Sequence, residues 1–305
     1  MSRRSWAWAR NVGGVAVIGV LLWQVGTGPF LDGVRTVDGR ALLIATVIAM
    51  GTTVCCAWRW SVVVRGLGVG LPMRAAVASY YRSQFLNSTL PGGVLGDVHR
   101  AVRHGREAGD LPRGARAVVW DRVSGQLVQG VLTVLVLLAL PSPVRSSVPV
   151  VAALVVGGLV VVVLGCRALL RHGAARWSRM ARTAASDLRT GLLSRRAWPV
   201  ILVASSLAVF GHVLTFLVAA RTVGSTSSTL ELVPLALLVL VAMGIPANVA
   251  GWGPREGVAA WTFAAAGLGA SEGVAIAVVY GLMVLVASLP GAVVLLVGMR
   301  RTAHA

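Results

Sequence analysis

Two stretches combine backbone-breaking residues with charge inside an otherwise apolar chain. Residues 87–100 read Asn-Ser-Thr-Leu-Pro-Gly-Gly-Val-Leu-Gly-Asp-Val-His-Arg. Pro91 removes a backbone donor, Gly92 and Gly93 free the chain from normal dihedral limits, and Asp97 and Arg100 lie one helical turn apart. Residues 244–257 repeat the recipe with Pro246, Asn248, Gly251, Trp252 and Gly253, followed at once by Arg255 and Glu256. The chemistry this pattern suits is anion capture. A helix restarting after such a break presents unpaired N–H groups and a partial positive charge, and a permanent guanidinium beside each restart makes it fit for a phosphate.

Asn87, Asn248 and Trp252 could orient a head group or satisfy carbonyls freed by the break. Asp121 and Arg122 form a further charged pair just downstream. The same charges admit a structural reading, in which Asp97 with Arg100, Arg255 with Glu256, and Asp121 with Arg122 or Arg100 neutralise one another and lock helices together. Pro91, Gly92, Gly93, Gly251 and Gly253 would then chiefly shape the elbows. No nucleophile with a base at readable spacing, no Walker A motif and no Gly-rich strand-to-helix fingerprint occurs, so no catalytic residue is expected. Cys55, Cys56 and Cys166 lack metal-ligand spacing, so neither a metal, a disulfide nor a cofactor is expected. His99, His104 and His212 read as ordinary interface or core residues.

The elements that must position these residues are membrane helices. The 305 residues are 56% hydrophobic and only 12% charged, with several apolar runs near the ~20 residues needed to cross a bilayer. All 28 basic side chains are Arg, set against 10 acids for a formal charge of +18. Because the Arg clusters flank apolar runs, they report orientation, and nucleic acid is not expected as a partner. The reading is an all-α polytopic protein with six crossings at about 11–27, 41–64, 116–140, 148–166, 198–220 and 271–297. Between them lie two broken units, 75–104 and 230–266, each expected to form a re-entrant hairpin in a pseudo-inverted repeat, half one spanning about 1–140 and half two about 148–299. Two full crossings in place of a hairpin would satisfy the charge bias equally.

Arg59 and Trp60 fall in the final turns of the second crossing, where Trp favours the interface and Arg is expected to snorkel to lipid head groups. Residues 167–196 alternate Arg176, Arg179, Arg182 and Arg189 with apolar positions at helical spacing, an amphipathic segment suited to the cytoplasmic leaflet. The Arg bias leads to the expectation of cytoplasmic termini, and the chain is expected in the plasma (inner) membrane.

Several motifs in order and spacing carry a resemblance. Pro91-Gly92-Gly93-x-x-Gly96-Asp97-x-x-Arg100, the Asp121-Arg122 pair, Ile245-Pro246, and Gly251-Trp252-Gly253-x-Arg255-Glu256-Gly257 resemble the lysylphosphatidylglycerol synthase transmembrane (flippase-like) family over roughly residues 59–297. That resemblance implies a protein that moves phospholipid or lipid-linked head groups between leaflets, with membrane lipids as its partners. Family members with two domains add an aminoacyl-transfer domain after the membrane part. None follows the last expected crossing here, so synthase activity is not expected to come with the resemblance, and a separately encoded lipid-modifying enzyme is a possible partner. A transferase acting on a lipid-linked donor, with Asp97 or Glu256 as general base, is the alternative. Pro254 stands where the family usually has an aliphatic residue and is expected to blur the start of the second half-helix.

Overall fold

The computed structural model describes residues 35–90, 93–144, 175–244 and 252–303, together with Gly28 and Leu164. The described residues form helices and no extended strand. In chain order these are α1 (Gly39–Gly66), α2 (Met73–Thr89), α3 (Leu95–Glu107), α4 (Leu111–Ala139), α5 (Ala175–Asp187), α6 (Ala197–Val223), α7 (Thr229–Ala242), α8 (Pro254–Ala265), α9 (Ala270–Ser288) and α10 (Pro290–Ala303). A single π turn, Leu188–Leu192, extends α5. The expected crossings at 11–27 and 148–166 lie outside the described residues, apart from Leu164.

Among the described residues, four helical stretches are long and apolar enough to cross a membrane: Gly39–Gly66, Leu111–Ala139, Ala197–Val223 and Ala270–Val297. They coincide with four of the expected crossings. The last departs from the expected single span, because it runs as α9 and α10 broken at Pro290, whose ring cannot donate to the preceding turn. Local chemistry sets several of the boundaries. Asp38 caps α1 by accepting from Ala41 N at 2.6 Å, and Asp110 caps α4 from Arg113 N at 2.9 Å. Ser228 and Glu231 close a reciprocal capping box on α7. Pro254 occupies the first position of α8, where a missing N–H costs nothing; it starts the helix cleanly and does not blur it.

The helices are patterned inside out, as a lipid-facing protein must be. On α1, Leu43, Val47, Met50 and Val54 recur at helical spacing and are exposed, while Thr52, Thr53, Arg59 and Ser61 are buried. Hydrocarbon solvates the first set and the protein interior satisfies the second. α9 is buried without a break from Gly273 to Gly281. Phe216, Leu232, Phe263, Tyr280 and Met283 close the core that it forms with α6, α7 and α8.

Helix ends sort into two groups. Val63 of α1, Leu192, Ala197 and Ile201 cluster at one end, where Arg116 Nε and Trp120 Nε1 also donate to Asp187. This end carries most of the described Arg residues, and the segment expected to lie on a leaflet is pinned here by the π turn. Ala41 and Ala45 meet the far half of α6 at the opposite end. α2 packs along α3, and α7 along α8. At ~1.5 Å per residue each of these four limbs is shorter than the ~30 Å hydrocarbon core.

Candidate functional site

Residues flanking the two breaks come together near the middle of the long helices. Thr53, halfway along α1, donates to Gln84 Oε1 of α2 at 3.1 Å, and His212 of α6 lies 3.0 Å from the Tyr280 hydroxyl of α9. A cavity of about 270 Å³ opens between them. Asn87, Gly93 and Arg122 line it from one side, and Trp252, Pro254 and Arg255 from the other. Gly93 and Gly253 have φ of +60° and +120°, which explains why glycine stands at both restarts. Pro91, Gly92, Asn248 and Gly251 lie outside the described residues.

Behind the first break lies a buried ionic network. Asp121, fully buried, accepts from Arg59 Nε at 2.8 Å, from Arg100 Nη2 at 2.9 Å and from the Tyr80 hydroxyl. Asp97 accepts from Ser83 Oγ at 3.1 Å, Arg100 Nη2 at 3.2 Å, Asn87 Nδ2 at 3.3 Å and Arg122 Nη2. Asn87 in turn accepts from Gly96 N at 2.8 Å, satisfying an orphan donor of the first turn of α3. The network therefore joins α1, α2, α3 and α4 with three guanidiniums against two carboxylates. Such a cluster is held only because each charge has partners, since an uncompensated ion in this setting costs several kcal/mol.

The second break is simpler. Glu256 Oε2 accepts from Gly253 N at 2.7 Å, bridging the restart of α8, and Glu256 Oε1 accepts from Arg255 Nε at 2.7 Å. Arg255 Nη2 lies in ion-pair range of the same oxygen but at an angle that makes no hydrogen bond, so it is an unpartnered buried donor. The Arg255 guanidinium faces Trp252 at 5.0 Å and Tyr280 at 5.8 Å, and Gly281 leaves room for it.

The structure redistributes the expected roles. Arg100 does not reach the cavity: it is 2% exposed and sandwiched between the rings of Trp60 at 4.6 Å and Tyr80 at 4.2 Å. Arg122, whose side chain is half exposed, takes the cavity-facing position. Arg59 and Trp60 do not sit at the lipid interface either. Arg59 is 7% exposed and lines the cavity, donating to Asp121, to Ser205 and to Tyr80, while Trp60 is buried against Tyr80 and His104. Once Asp121 is available inside, a paired interior position replaces snorkelling. His212 lines the cavity rather than a generic core.

The geometry has one chemical consequence. Arg59, Arg122 and Arg255 face the cavity, whereas Asp97, Asp121 and Glu256 stand behind them, and no carboxylate is among the described lining residues. Gln84, Gln126 and Gln129 add neutral polar groups. The described charged groups lining the cavity are therefore all cationic.

Neither a curated protein nor a solved structure matches the chain. The family model described as "Lysylphosphatidylglycerol synthase TM region" matches residues 10–291. That span contains both breaks, the ionic network and every described residue lining the cavity, and the chain accordingly belongs to the lysylphosphatidylglycerol synthase transmembrane family of multi-pass membrane proteins.

Proposed function

We propose that the protein is a flippase-like transporter that moves an anionic or zwitterionic phospholipid, or a lipid-linked head group, between the leaflets of the plasma membrane. The observation that carries the proposal is the cavity at mid-depth whose only described charged lining groups are Arg59, Arg122 and Arg255. A lipid phosphate enters this cavity, with Arg122 and Arg255 contacting it from opposite sides. Asp97, Asp121 and Glu256 hold the guanidiniums at their stations.

In this reading the chain makes six crossings, and the two broken units are half-membrane hairpins entering from opposite faces as a pseudo-inverted repeat. Discontinuous helices of that kind place a site where the backbone unwinds. Rocking of one unit against the other opens the cavity to each leaflet in turn, and both termini lie in the cytoplasm by the Arg bias.

The test is leaflet-resolved translocation of phosphatidylglycerol in proteoliposomes. Arg122→Ala and Arg255→Ala each slow translocation about ten-fold or more, since a hydrogen bond to a charged group contributes about 1.5–3 kcal/mol. Arg103→Ala, in the exposed pair with Glu107, leaves the rate unchanged. Wild-type rates in both cavity variants would remove the assignment.

A further inference from the structure

A second compartment lies at the Arg-rich end, between α2, α3 and α10. It encloses about 320 Å³ and has two unlike walls. Val293, Val294 and Val297 of α10 with Leu71 make one wall apolar, and Val293 and Val297 remain largely exposed toward the surrounding lipid. The other wall carries Arg82, Trp60, His104 and the mutually paired Arg103 and Glu107.

Three features of that second wall call for a ligand. Arg82 is 5% exposed, yet its only described side-chain bond is a long one from Nη2 to Ser79 Oγ at 3.2 Å, and no carboxylate lies in ion-pair range of it among the described residues. Trp60 Nε1 and His104 Nε2 are buried and have no hydrogen-bond partner in the structure. The nearest acid to this buried guanidinium, Glu107, is already paired with Arg103, and a guanidinium without a carboxylate in contact and two unpaired polar atoms are each costly; an anion in the groove offsets that cost. Arg103 lies beside them but is already engaged by Glu107 at 2.8 Å.

The structure assigns this groove as a binding site for an anionic phospholipid of the Arg-rich leaflet. Its phosphate sits on the Arg82 guanidinium, with the Trp60 indole N–H as second donor and an acyl chain along the valines of α10. The apolar wall selects a lipid over a free anion, because a soluble phosphate would leave that surface uncovered. The site is distinct from the central cavity. Arg100, stacked between Trp60 of this groove and Tyr80 of the cavity, lines neither and forms the partition. The assignment does not depend on translocation.

Native mass spectrometry of the purified full chain, titrated with phosphatidylglycerol or with phosphatidylcholine of the same acyl chains, reads the site directly. The variant Arg122→Ala/Arg255→Ala removes the cavity contacts, and in that background phosphatidylglycerol still binds in preference to phosphatidylcholine. Adding Arg82→Gln weakens this binding about ten-fold, the effect of losing one charge-assisted contact. Val294→Trp, which fills the groove from its apolar wall, abolishes it without touching a charge. Undiminished phosphatidylglycerol binding in a folded variant of either kind, equal retention of phosphatidylcholine, or displacement of the lipid by glycerol phosphate at equal concentration would each overturn the assignment.

Discussion

Asp121→Asn removes the charge at the centre of the network while keeping side-chain shape. In the wild-type protein this fully buried carboxylate neutralises Arg59 at 2.8 Å and Arg100 at 2.9 Å and accepts the Tyr80 hydroxyl proton. Without it, three guanidiniums on α1, α3 and α4 face Asp97 alone. Removing one partner of a buried pair costs about 3–5 kcal/mol because the other charge is stranded. That loss corresponds to a fall in Tm on the order of 10 °C. The outward-facing pair Arg103–Glu107, with both side chains about half exposed, sets the contrast, since breaking it costs about 0.3–0.5 kcal/mol. A double variant, Asp121→Asn with Arg100→Gln, restores the balance to two guanidiniums against one carboxylate, the same net charge as before. It recovers about 1–2 kcal/mol relative to the sum of the single changes, as coupled neighbours do. Thermal unfolding in detergent, followed by intrinsic fluorescence, measures all three. A loss below about 1 kcal/mol for Asp121→Asn, or strict additivity in the double variant, would refute the idea that Asp121 is the electrostatic keystone.

Gly96→Ala drives a methyl group into the backbone of Ser83, separates α2 from α3, and costs about 1–3 kcal/mol, read as a lower Tm. Gly281→Ala instead meets only the end of the Arg255 side chain, which can move; it leaves Tm nearly unchanged and lowers translocation by displacing that guanidinium from the cavity. Single cysteines in a cysteine-free background test the topology through impermeant thiol labelling. Thr190→Cys and Leu193→Cys react from the cytoplasmic face, whereas Thr226→Cys and Ala266→Cys both react from the outside. Labelling of Ala266→Cys from the cytoplasm would mean that α7 and α8 together make a full crossing.

How much was legible beforehand varies with the kind of signal. The four limbs flanking the breaks were readable because clustered Pro and Gly disfavour helix through backbone chemistry, whereas the lone Pro234 is carried inside α7. Asp97, Trp252 and Arg255 stood out because charge and aromatic residues beside a break are rare in apolar sequence, and Arg122 because it forms a charged pair with Asp121 inside an apolar run. The role of Arg59 was not. Its position near the end of an apolar run is the ordinary signature of a snorkelling Arg, and only the approach of Asp121, 62 positions away, makes an interior station preferable. The nearest sequence signal was Thr52, seven residues and two helical turns before Arg59, which puts a second polar group on the same face of the helix.

The sequence by itself determined the class of protein and the places where its helices fail, because hydropathy and backbone dihedral limits act within a few residues of one another. Tertiary structure alone decided which charges face the cavity. Arg100 and Arg122 are both one residue or one turn from an acid in the chain, so local spacing cannot rank them. Packing put Arg100 between two aromatic rings, behind the wall, and left Arg122 open to the interior. Burial and long-range pairing are properties of the assembled helices, and the guanidiniums that face the cavity are therefore chosen there.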